Sequence, residues 1–469
     1  MFDLTASDVE QIDRTSLRIL DEIGVRVDDA PLRDLALKAG ARPGRDADWI
    51  RLPPEMVREH VRLAPREARY ADCSGRVTAM GPGSEPTFWT GAALNYVTGR
   101  QSRPITGADL SEFARLADAM PAVFAVVGTS VDDVPPTVRD VVGFRIMAEA
   151  TGKHLRPLLF TAAGVRPIIE MAEVVAGGAP LGDRPLVSFG YSCLSPLHWS
   201  QISADLWRES AGHRLPVMLN GEPIAGATSP VTLAGSLALS NAEILAGVVL
   251  VQLIEPGRPV VHNLGFAHVT DMRTAACLAG SAECALMAWA GAQLAAHYGL
   301  PCASWMCTDA FMDDEQASME KVLTGFAHVL GGVNIIWGMG QLQSEKALSP
   351  VQLVMDEEVA QALRRWWRGV RVDDETLALD VIRDVVSGGE QFLAHDHTLR
   401  HFREELGESR LLARTQREAW EAAGSTRLAD RAAERVRQIL SEPQPERLTD
   451  TQRRDLRAIE QRAVKHILG

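Results

Sequence analysis

The sequence predicts an α/β protein: a (β/α)8 TIM barrel with an N-terminal extension of helices and a small β-meander, and with C-terminal helices. Two observations predict it. From about Ala122 to Trp337, short apolar runs alternate with segments of helix length, the rhythm of parallel strands joined by crossover helices. No GxGxxG follows the first of these runs, which removes the best reason to prefer an open dinucleotide-binding sheet. The 469 residues have room for one such barrel with additions. They divide into 1–120 ahead of it, 121–345 as its core and 346–469 completing and flanking it.

Near the start, Thr5-Ala6-Ser7-Asp8 supplies cap residues ahead of Val9, Ile12, Ile19, Leu20 and Ile23, which are close to helical spacing. Pro53-Pro54 opens a second helix, where proline is tolerated in the first turn. Between 70 and 100, Gly81-Pro82-Gly83 and Thr98-Gly99 are turn signals around β-prone pieces such as Thr87–Thr90, and this stretch reads as the meander. Seven apolar runs then follow as strands: Phe124–Val127, Leu158–Thr161, Leu186–Gly190, Val217–Asn220, Val260–Asn263, Ala303–Met306 and Asn334–Trp337. An eighth has no evident run. Pro157, Pro185, Pro216, Pro259 and Pro301 introduce five of them, a position where a strand needs no donor. Past residue 345 the chain is helical and charged.

Composition narrows the function. Lys and Arg number 48 against 61 Asp and Glu, so the net charge of −13 argues against binding nucleic-acid phosphates. The six cysteines form no CxxC pair, and the first residues show no basic-then-apolar leader. The longest apolar run, Ile244–Leu253, is well short of the roughly 20 residues of a membrane span. The expectation is a cytoplasmic protein with no membrane and no nucleic-acid partner.

In such a barrel the working groups sit at the C-terminal ends of the strands. Those positions hold Tyr191 and Ser192, Asn220 and Glu222, His262 and Asn263 with Phe266, Trp305 with Asp309, and Trp337. Ten of the aromatic residues are Trp and only four are Tyr. Trp presents the strongest π-face to a cation, so Trp305 and Trp337 are candidates for a cation cage, against the alternative of ordinary core packing. His395-Asp396-His397 with His401 is the tightest histidine cluster; zinc ligation, substrate contact and structural hydrogen bonding all remain open for it, and no metal is expected. Cys307 reads as a buried thiol more readily than a reactive one. The glycines Gly221, Gly226, Gly265, Gly338 and Gly340 serve either tight turns or the close approach of a flat ligand.

The run Gly226-Ala227-Thr228-Ser229-Pro230-Val231-Thr232-Leu233-Ala234-Gly235, with Asn241-Ala242-Glu243-Ile244-Leu245-Ala246-Gly247, resembles the trimethylamine methyltransferase family. Leu20–Val25, Asp133–Pro136, Ser195–Leu197, Asp271–Thr274, Thr376–Ile382 and His395–His401 agree in order, so the resemblance spans nearly the whole chain. It implies a (β/α)8 barrel that moves a methyl group from an amine to the cobalt of a separate corrinoid protein, holds no cofactor tightly itself, and forms homo-oligomers. The family's archetype carries pyrrolysine, whereas this chain has only standard residues, as in the branch that demethylates quaternary amines such as glycine betaine. Direct transfer to tetrahydrofolate, a catalytically silent amine-binding protein, and a metal-dependent barrel hydrolase are the alternatives. For a betaine carboxylate, His262, Asn263, Arg273 and His397 are candidate donors.

Overall fold

Eight short strands pair in parallel around a closed cycle, in the order in which they occur in the chain. The computed structural model describes residues 3–265, 268–389, 391–407 and 409–469. The strands are β1 (Thr87–Thr90), β2 (Val123–Val127), β3 (His154–Arg156), β4 (Phe189–Ser192), β5 (Val217–Asn220), β6 (Val260–Asn263), β7 (Cys302–Trp305) and β8 (Ile335–Met339). Leu155 donates its amide to Leu186 at 3.1 Å and accepts from Ser188 at 3.3 Å, which joins β3 to the β4 segment and closes the cycle.

Each strand feeds a helix of the outer ring. These are α1 (Gly107–Asp118), α2 (Arg139–Ala150), α3 (Val165–Val175), α4 (Gln201–Glu209), α5 (Leu233–Ile254), α6 (Ala282–Tyr298), α7 (Glu315–Gly331) and α8 (Pro350–Trp367). Gly299 (φ 70°) and Gly332 (φ 84°) end α6 and α7 in the left-handed region and turn the chain back into β7 and β8. Helix α5 is 22 residues long and apolar enough to cross a membrane by length and composition, but 89% of its most apolar window is buried. It is wedged between the barrel and the N-terminal helices Ala6–Arg18 and Pro54–Leu63, so its apolar surface all round is that of a core helix.

Two expectations are corrected. Thr87–Thr90 is the missing strand, paired with both β8 and β2, so the barrel begins there and not at residue 121. The third strand is His154–Arg156, not Leu158–Thr161. Pro157 follows that strand instead of opening it, whereas Pro216, Pro259 and Pro301 each offer a carbonyl to the neighbouring strand at the start of their own.

Side chains alternate across the sheet. Ala125, Val127, Met218, Val261, Ala303, Ile335, Trp89, Trp305 and Trp337 fill the lumen, while Leu219 and Val260 face the helices. A hairpin of Ala68–Ala71 and Val77–Met80 plugs the N-terminal end, where Tyr70 meets Trp89 edge-on at 5.3 Å and His154 at 5.1 Å. Small sheets rim the other end. One joins residues 224–225, 268–270 and 277–278 of the loops after β5 and β6.

Candidate active site

The lumen holds a ladder of aromatic rings. Trp305 stacks on Trp337 at 5.2 Å, Trp337 on Trp89 at 6.2 Å, and Trp89 on Phe124 at 6.0 Å. The indole N–H of Trp305 donates to Gln341 Oε1, whose amide reaches the Ala92 carbonyl, so the outermost ring is fixed in place. Trp305 is 6% exposed and Trp337 1%. The guanidinium of Arg156, reaching in from β3, lies 4.1 Å above the Trp337 ring.

Above this floor a polar network crosses three adjacent strands. Asn263 Nδ2 donates to Asn220 Oδ1 at 2.9 Å, Asn220 Nδ2 to Ser192 Oγ at 3.1 Å, and Ser192 Oγ to Glu222 Oε1. Gly265 in turn donates its amide to Asn263 Oδ1 at 3.0 Å. Burial pushes the Glu222 carboxyl up to about 7, the Ser192 bond opposes this, and Glu345 adds repulsion. Glu243 on α5, fully buried, is likewise pushed up to about 7 by burial. It accepts from Ser195 Oγ at 2.8 Å and the Leu197 amide at 2.9 Å, tying down the loop after β4. Over the mouth, His268 Nε2 lies 2.8 Å from Glu345 Oε1. Burial opposes charge on that imidazole, but the Glu345 carboxylate prevails and holds its pKa well above the usual value.

The structure gathers Trp305, Trp337, Asn220, Asn263 and Glu222 at the C-terminal end of the lumen, and places four other candidates elsewhere. Tyr191 and His262 are in register with Leu219 and point outwards. Strand-end position sets the level of a side chain, and parity along the strand sets its face. His262 Nε2 meets Asn241 Oδ1 of α5 at 2.9 Å, and burial lowers its pKa to about 4. Asp309 accepts from the amides of Ala279 at 2.8 Å and Gly280 at 3.1 Å and from Ser344 Oγ at 2.6 Å, so it ties the loops after β6 and β8 together. His397 lies on the helix Asp396–Glu405, where its ring meets the Glu375 carbonyl at 3.2 Å. Phe266 lies outside the described residues. Arg273 is exposed and paired with its neighbour Asp271 at 3.1 Å. Cys307 is fully buried, and burial pushes its thiol well up. Among the described residues, no three His, Cys, Asp or Glu side chains form a group that could hold a metal ion.

The cation cage expected of Trp305 and Trp337 is only half available, because an internal cation already covers Trp337. Arg156, Trp89, Gln341, His268 and Glu345 join the candidate site in the structure, and the sequence reading did not single them out. His154-Leu155-Arg156 carries a signal, a polar-apolar-polar alternation ending at a proline.

Comparison with known proteins agrees with this architecture. The profile of the family described as trimethylamine methyltransferase matches residues 2–466. A trimethylamine methyltransferase of Desulfitobacterium hafniense is 31% identical over 94% of this chain and 90% of its own. A glycine betaine methyltransferase of Desulfitobacterium hafniense is also 31% identical, over 93% and 92%. Among solved structures, the monomethylamine methyltransferase of Methanosarcina barkeri superposes with a TM-score of 0.57 over 93% of this chain and 88% of its own. At 13% identity, that is a likeness of fold.

Proposed function

Because the chain belongs to the trimethylamine methyltransferase family and is a methyltransferase, we propose that it moves a methyl group from a small quaternary amine of the glycine betaine kind to Co(I) of a partner corrinoid protein. The observation that carries this reading is Glu222, poised near neutrality and tied into the polar network above the tryptophan-lined lumen. A fixed carboxylate and an aromatic face recognise a cation without attacking it.

A quaternary ammonium needs no proton to react. Its C–N bond breaks, the electron pair stays on nitrogen, and a neutral tertiary amine departs while the methyl carbon bonds to the acceptor. The chain has only standard residues, which suits a substrate that is already activated. The protein's work is positional: Glu222 balances the cation, the Ser192–Asn220–Asn263 network holds Glu222, and the small sheet over the mouth excludes water. The corrinoid, when its protein docks, supplies the nucleophile.

The rim suits a macromolecular acceptor better than tetrahydrofolate. Leu94, Leu194, Val231, Met272 and Phe311 are exposed large apolar side chains, each on the loop after a different barrel strand. The six cysteines, none in a disulfide, suit a reducing cytoplasm. Exposed Trp366 at the end of α8, with Val370, Leu393 and Leu399 beyond the barrel, favours a homo-oligomer.

Calorimetric titration with glycine betaine, proline betaine, carnitine, choline and trimethylamine tests the donor class. The reading expects saturable binding of at least one quaternary amine and weaker binding of trimethylamine; binding of none, or a preference for trimethylamine, contradicts it.

A further inference from the structure

We infer that Arg156 is the residue that holds the carboxylate of such a donor and so sets the preference for a betaine over a bare cation. The inference rests on the quaternary-amine reading above and adds the residue that takes the carboxylate end of the ligand.

Arg156 is 4% exposed, and its Nε has no hydrogen-bond partner. Among the described residues no carboxylate is paired with it. Burial lowers its pKa to about 9, which leaves it charged at neutral pH. An unpaired guanidinium inside a barrel is strongly unfavourable, and its contact with Trp337 offsets only part of that. The neighbouring acid, Glu222, is engaged by Ser192. Room for the group has been made on purpose: a Cβ at Gly190 would stand 2.3 Å from Arg156 Nη2. A buried guanidinium whose Nε lacks a partner can receive a carboxylate by charge-assisted hydrogen bonds.

The placement also orients the ligand. Gly190 and Ser192 share the lumen face of β4, two residues apart, about 6–7 Å along the strand. Arg156 therefore lies deeper than Ser192 and the Glu222 it holds. A small betaine seated with its carboxylate on Arg156 turns its ammonium outwards, toward Glu222 and Trp305. The transferable methyl groups then face the mouth, where an acceptor arrives. Both buried charges of the protein gain a counter-charge in the same event.

Calorimetry on the intact protein separates the two halves. Tetramethylammonium reports the cation site alone. Glycine betaine, choline and betaine methyl ester differ in whether a carboxylate is present. The wild type is expected to bind glycine betaine at least tenfold more tightly than choline or the ester. Arg156→Gln is expected to erase that advantage while leaving tetramethylammonium binding unchanged or tighter, because a like charge has gone; Arg156→Lys should restore part of it. The ester comparison needs no variant, so it stands even if Arg156→Gln fails to fold. Equal binding of betaine, its ester and choline overturns the role of Arg156 and leaves the cation site standing. Parallel loss of tetramethylammonium and betaine binding in a folded Arg156→Gln also overturns it. If no quaternary amine binds the wild type, the proposed function and this inference fall together.

Discussion

Glu222 owes its pKa to a balance that a pH series reads directly. Burial and the Glu345 carboxylate hold the proton on, while the Ser192 hydroxyl and His268 favour its loss, and the result is about 7. About a tenth of such a group is ionised at pH 6 and about nine-tenths at pH 8. Since the ionised form attracts a cation, tetramethylammonium affinity should rise by up to about tenfold from pH 6 to pH 8. Glu222→Gln should flatten that profile, and an unchanged slope in the variant would remove Glu222 from the site. Glu243, also at about 7 and coupled to Glu222, makes the observed midpoint a property of the pair. The tryptophans divide. Trp305→Ala should weaken amine binding by roughly tenfold, about 1.4 kcal/mol. Trp337→Ala should instead cost about 3–5 kcal/mol of stability, because that ring is packed between Trp305, Trp89 and Arg156. Thermal melts beside titrations distinguish these outcomes. The strand-end positions of both rings were legible in the sequence. That a buried arginine lies across one of them was not, because contacts across the lumen join strands far apart in the chain.

Elements were legible where their signals were local. Cap residues, apolar runs and most prolines located six of the barrel strands, whereas Pro157 closes its strand and Thr87–Thr90 looks like any short β piece between turns. Only pairing with β8, some 250 residues away, makes it the first strand of the barrel. The glycines of the mouth serve the chain's own packing: Gly338, at φ 97°, leaves no room for a Cβ beside the Met306 carbonyl and the Trp305 ring. The turn that Gly338 begins is held from below by a buried ion pair, Lys321 of α7 and Asp356 of α8, 3.0 Å apart and both without exposure. Lys321 donates to the Gly338 carbonyl, and Asp356 accepts from the Gly340 amide at 2.7 Å. Removing one partner strands the other's charge, so Lys321→Met should destabilise by about 3–5 kcal/mol. Denaturant unfolding checks this; a loss below about 1 kcal/mol would show that the turn stands without the pair.

For the molecule as a whole, the proposed function divides labour between the aromatic and acidic end of the lumen, which would select the amine, and an apolar rim, which would receive the acceptor. Phe311, 78% exposed, and Met272, 73%, stand on loops after β7 and β6. Replacing both by Glu should leave amine affinity unchanged and slow transfer to a corrinoid protein at least tenfold; equal rates would place docking elsewhere. The central claim is transfer itself. Purified protein, glycine betaine and a Co(I) corrinoid protein are mixed without oxygen, and the cobalt absorbance is followed over a single turnover. The account predicts loss of the Co(I) band with one dimethylglycine formed per cobalt, and no change when the amine is omitted. A stable Co(I) band across the quaternary-amine panel, with the amine bound yet intact or with tetrahydrofolate methylated in its place, would contradict it.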